Sequence, residues 1–265
     1  MRPSHMESDC QVLKEFIQAR MDRAREHLDE LRRDVQSLQE TDRARIVTQL
    51  GTDKTQVAIN LVYRRPHPNR RWGALVGDFA HCIRSALDNT VYAIALTNAD
   101  TLPPADDRIL CFPIADTNDD WRRVKRSVRS LPSAVRAVIE AAQPCRGGNA
   151  VLSVLGSLND MDKHRVPTAI AGSLAKAETV FHKPPQGEIV KVLALDGPAV
   201  TEAPLVVVSF SEPQTAKPDV TLKLASTIFL AQPSGPGGWI EAFKTLEQIE
   251  AEAKAVIDTL MPFIR

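Results

Sequence analysis

The chain has 265 residues, 43% of them hydrophobic and 25% charged, which is enough for one large domain or two small ones. Lys+Arg and Asp+Glu both number 33, so the net charge is zero and no global field pulls on nucleic acid or membrane. Cys10, Cys82, Cys111 and Cys145 form no CxxC pair, which argues against a zinc knuckle or a disulfide framework. Met1–Cys10 is too polar for a signal peptide, and no apolar run approaches the roughly 20 residues of a membrane span. The expectation is a cytoplasmic protein with no membrane contact.

In chain order, residues from about Cys10 to Gln39 read as one helix. Leu13, Ile17, Met21, Ala24, Leu28, Leu31, Val35 and Leu38 recur at spacings of four and three, an a/d seam among Arg and Glu. Trp239–Ile264 carries a matching seam through Ala242, Leu246, Ile249, Ala253, Val256 and Leu260. The terminal helices are therefore expected to pair. A homodimeric coiled coil is the alternative use of the same seam. Thr55–Arg64 alternates Val57, Ile59 and Leu61 with polar residues and reads as a strand, and Arg65–Arg71 is a proline-stiffened loop.

Trp72–Asn98 reads as a second long helix. Val76, Phe79, Ile83, Leu87, Val91 and Ile94 form one stripe, with His81, Arg84, Ser85, Asp88 and Tyr92 opposite. Helical pieces follow at Asp119–Arg129 and Pro132–Ala142, the latter capped by Ser130 or Ser133, and at about Ala150 to Arg165. After Gly172 the texture turns β-rich: Thr179–Lys183, Glu188–Asp196, Leu205–Ser211 and Val220–Leu230, punctuated by prolines. Such short spacings suit antiparallel meanders, and the strand at 55–64 can join the same sheet. The expected fold is α+β in a single domain over 1–265. Its helical part covers about 10–170 plus 239–264, and its β-rich part about 175–230.

Two polar constellations carry chemical capability. In Leu155–Arg165, helical geometry turns Asn159, Asp162 and Arg165 toward the buried side, while Asp160 and His164 point away. A buried carboxylate needs a partner, and Arg165 is three residues from Asp162. On the second helix, Asp78-x-x-His81 puts two potential metal ligands one turn apart, with Asp88 two turns beyond on the same face. His27, His67 and His182 read as isolated surface residues. No Walker loop, GxGxxG, GxSxG or HExxH occurs. Positive charge clusters twice, at Arg64, Arg65, Arg70 and Arg71, and at Arg122, Arg123, Lys125, Arg126 and Arg129.

The motifs Gly77-Asp-Phe-Ala-His-Cys-Ile-Arg-Ser-Ala-Leu-Asp88, Phe112-Pro-Ile114 with Trp121, Gln143-Pro144 and Leu155–Arg165 resemble a bacterial family of hypothetical proteins common in actinobacteria. The resemblance covers roughly residues 70–170 and implies no particular activity. Asn159-Asp160-x-x-x-His164 has a spacing similar to that of HEPN-type ribonucleases, with Asn159 where those carry Arg.

The sharpest expectation is a phosphoester hydrolase acting on RNA or a nucleotide. His164 or His81 would be the general acid/base, with Asp160 and Asp88 beside them. Arg84, Lys163, Arg165 and Asn159 would hold the substrate. Asp78 and His81 would be ligands if a divalent metal takes part. The alternatives are a non-catalytic module binding an anionic partner through the two basic runs, and a structural dimer whose polar motifs are ion pairs joining helices.

Overall fold

A computed structural model of the chain describes residues 3–41, 45–62, 69–99, 103–104, 106–164, 169–194, 197–198, 204, 206–231 and 238–264. Helices alternate with antiparallel sheets, an α+β fold. The helices are α1 (Pro3–Thr41), α2 (Asn69–Thr97), α3 (Asn118–Val124), α4 (Ser133–Ala141), α5 (Val151–His164) and α6 (Ala242–Leu260). The strands are β1 (Arg45–Leu50), β2 (Gln56–Val62), β3 (Ala169–Phe181), β4 (Ile189–Ala194), β5 (Gly197–Pro198), β6 (Val206–Phe210), β7 (Val220–Ala231) and β8 (Trp239–Glu241). The chain divides into two compact units, each discontinuous in sequence. No helix among the described residues is long and apolar enough to cross a membrane.

The first unit takes residues 1–30, 73–167 and 244–265. The α2 stripe Val76, Phe79, Ile83, Leu87, Val91 and Ile94 is buried throughout, and Ile17, Met21, Ala24 and Leu28 of α1 are buried at their expected spacing. Arg25 of α1 pairs with Glu250 of α6 at 2.5 Å, and Leu246, Ile249, Ala253 and Leu260 bury the α6 face. His27 is not the surface residue its isolation suggests. It follows the seam residue Ala24 by three positions and is 8% exposed. The piece expected as a helix over 119–129 is α3 followed by a 3-10 turn, Lys125–Val128. Neither Ser130 nor Ser133 caps α4. Pro132 occupies that position with fixed φ and no side-chain bond.

The second unit takes residues 31–72 and 168–243. It holds two four-stranded antiparallel sheets instead of one, ordered β1-β2-β6-β4 and β5-β3-β7-β8. Strand β2 joins the first sheet by pairing Val57 with Val208 and Ile59 with Val206. Among the described residues, consecutive strands pair only at β1–β2 and β7–β8, so the meander expectation holds just there. Val57, Ile59, Val206, Val208 and Phe210 form one hydrophobic cluster of this unit, with Phe181 edge-on to Phe210 at 5.9 Å. Strand β3 begins at Ala169, earlier than the change of texture after Gly172, because its small residues take their partners from β7. Trp239 belongs to β8 and not to the final helix. It pairs with Ala231, and Glu241 then ends the strand by accepting the Thr227 hydroxyl and the Phe243 amide.

Candidate functional site

Two cavities in the first unit gather the polar side chains that matter. One of them is built on an irregular segment, residues 111–115, which is held by groups from neighbouring elements. The Phe112 amide donates to Asp88 Oδ1 at 2.7 Å, and Arg84 donates to the Phe112 carbonyl at 2.5 Å. Arg84 and Asp88 pair with each other at 3.0 Å, one turn apart on α2. Together they present to Phe112 the donor and acceptor that a neighbouring strand would supply. The Ser127 hydroxyl donates to the Cys111 carbonyl, and the Cys145 amide to the Ala115 carbonyl.

That segment floors a cleft of about 310 Å³ between α2 and α5. Its polar lining is Arg84, Asp116, Ser153, Ser157, Asn159 and Asp160, and its apolar lining includes Pro113, Ile114 and Val124. Gly156 keeps the α5 wall low, since a Cβ there would reach only the Ile114 side chain at 3.7 Å. Ser153 donates to Asp116 at 2.5 Å. Asn159 is 4% exposed, and its side chain makes no hydrogen bond among the described residues.

The second cavity, of about 600 Å³, lies between the α3 face and α4. Arg122, Lys125, Arg126 and Arg129 fall at i, i+3, i+4 and i+7 and so share one face of the α3–3-10 segment. Ser133, Arg136, Ala137 and Glu140 repeat the spacing on α4, and Arg146 closes the rim. Trp121, Val128 and Ala137 give it an apolar floor. Six cations thus face one carboxylate. Three of them are held in place: Arg122 by Asp119 at 2.8 Å, Arg129 by Asp106 at 2.8 Å and Arg146 by Glu140 at 2.9 Å. The side chains of Lys125, Arg126 and Arg136 make no ion pair among the described residues.

The electrostatics follow from these contacts. The Arg129 hydrogen bond holds the Asp106 carboxyl below the usual carboxylate range, and Asp106 in turn raises the Arg129 guanidinium. Asp120 is lowered first by the Thr117 hydroxyl and then by Arg123. The pair Thr117–Asp120 is a reciprocal capping box that starts α3. Burial pushes the Cys82 thiol up.

The structure distributes the sequence-predicted residues unevenly. Arg84, Asn159 and Asp160 meet in the α2–α5 cleft. Asp88 stands behind Arg84 as the acceptor for Phe112. His81 and Asp78 are exposed and line neither cavity. No group of three His, Cys, Asp or Glu side chains that could hold a metal occurs among the described residues. The side chains of Asp162, Lys163 and His164, and all of Arg165, lie outside the described residues, as do Arg64, Arg65 and His67. Arg70 and Arg71 are exposed, and Arg71 pairs with Asp34 at 2.5 Å. Of the second basic run, Arg122, Lys125, Arg126 and Arg129 line the basic cavity, whereas Arg123 pairs with Asp120 beside it. Sequence reading missed Arg136 and Arg146 on the basic cavity and Asp116 and Ser153 on the cleft. The spacing 133, 136, 137, 140 was the available signal for α4. Compared with protein-family models, with curated proteins and with solved structures, the chain matches none.

Proposed function

We propose that the protein is a binding module for a phosphorylated small molecule, seated in the basic cavity between α3 and α4. The observation that carries this reading is the convergence of six cations on a concave site, three of them without an ion-pair partner among the described residues. Like charges so close repel one another, and an anion between them removes that cost. The paired arginines are oriented in advance, while Lys125, Arg126 and Arg136 are left to neutralise the ligand. A cavity of about 600 Å³ with an apolar floor suits a nucleotide-sized ligand better than the flat track a polynucleotide backbone needs.

Hydrolysis is the less supported use of these residues. A general acid or base must stand within hydrogen-bond reach of the reacting group. His81, one of the two expected candidates, lines neither cavity. Calorimetric titration with inorganic pyrophosphate tests the proposal. Binding should weaken measurably between roughly 50 and 200 mM salt, because added ions screen the attraction between the cavity's cations and the anion. No heat of binding at low salt would reject it. Tighter binding of a single-stranded RNA than of pyrophosphate or ATP would replace it with the nucleic-acid reading.

A further inference from the structure

We infer that the α2–α5 cleft is a second ligand site, built for a neutral nucleoside. The central observation is Asn159. It lies on an otherwise buried stretch of α5 with Leu155 and Leu158, is 4% exposed, lines the cleft, and makes no side-chain hydrogen bond among the described residues. The amide opens onto the cleft and is not sealed in the core, so a ligand seated there can reach it. The side chain carries a donor and an acceptor side by side in one plane. That arrangement matches the adjacent donor and acceptor on the edge of a nucleobase, as when Asn reads adenine.

The rest of the lining fits the same class. Pro113, Ile114 and Val124 give an apolar wall for a flat ring. Asp116 and Asp160 supply carboxylates at the exposed side, the groups that accept hydroxyls from a ribose. The one cation, Arg84, is neutralised by Asp88 at 3.0 Å and engaged by the Phe112 carbonyl. The cleft therefore repels phosphate, in contrast to the basic cavity. Its volume of about 310 Å³ lies at the lower end of small-molecule sites. Gly156 leaves the wall open where a larger residue would intrude.

Calorimetry with adenosine, guanosine and cytidine tests this assignment. At least one nucleoside should bind, and Asn159→Ala should weaken it at least tenfold. Lys125→Glu with Arg126→Glu should leave that affinity unchanged, while Asn159→Ala should leave pyrophosphate binding unchanged, so the two sites succeed or fail separately. Failure of all three nucleosides to bind at millimolar concentration overturns the inference, as does equal binding by Asn159→Ala. The melting temperature of Asn159→Leu gives a second reading. It should not fall, because the amide makes no side-chain hydrogen bond among the described residues. A marked fall would make Asn159 a structural residue and overturn the assignment.

Discussion

The Arg84–Asp88 clamp offers the most sharply calculable perturbation, Asp88→Ala. The Phe112 amide donates to Asp88 Oδ1 at 2.7 Å from a residue that is 0% exposed, so removing the acceptor strands a largely buried donor. A hydrogen bond to a charged group contributes about 1.5–3 kcal/mol, and stranding its buried donor costs a similar amount. The ion pair itself adds little. The Asp88 side chain is 34% exposed and Arg84 18%, so solvent screening limits the pair to about 1 kcal/mol or less. Arg84 also keeps its bond to the Phe112 carbonyl after the substitution. The expected loss is therefore about 2–3 kcal/mol. Asp88→Asn retains an acceptor without the charge, and neutral bonds are about half as strong, so it should lose about half as much. Urea denaturation gives the global figure, and hydrogen exchange at the Phe112 amide reads the local one. A loss under about 0.5 kcal/mol for Asp88→Ala, the range of an ordinary surface change, would refute the clamp. Equal losses for the Ala and Asn variants would refute the role of its charge.

Other outcomes follow from single contacts. Gly156→Ala should raise stability by up to about 1 kcal/mol, since glycine is unfavourable inside a helix and the new Cβ meets only an ordinary contact with Ile114; thermal melting checks it. Thr117→Ala removes the capping box of α3 and should cost about 1 kcal/mol, read as a lowered urea midpoint. The carboxyl of Asp106 should titrate below its ordinary value of 3.8 in an NMR pH series. Its bond to Arg129 then stabilises the fold fully above that value, progressively less as pH falls below it, and not at all below the lowered folded value. An Arg129→Ala variant should move the midpoint back up. Cys82, buried and with a raised thiol, should react with a thiol reagent far more slowly than Cys111 at neutral pH.

Much of the helical architecture was legible because one period governs it. The α2 stripe from Val76 to Ile94 is buried as its spacing demands, since each residue lies within one turn of the next. The last helix was read too long because Trp239 fits the same period, and only pairing with Ala231 across the sheet makes it a strand residue. Strand β1 has no alternation strong enough to announce it and is fixed by β2 beside it. The cleft was legible in part: Asn159, Asp160 and Arg84 stood out as polar residues on apolar helices. Asp88 looked equally capable of chemistry, yet its carboxylate is spent on a backbone amide from residue 112 that no local pattern points to. The basic cavity shows the same limit. Arg122, Lys125 and Arg126 are adjacent in sequence, but Arg136 and Arg146 join them only when α4 turns back against α3.

Charge reversal within the basic cavity tests the central claim most directly. Lys125→Glu, Arg126→Glu and Arg136→Glu together should abolish calorimetric pyrophosphate binding, while Arg123→Glu, outside the cavity, should change it less than threefold. Unchanged affinity in the triple variant, with its helical content intact by circular dichroism, would contradict the account.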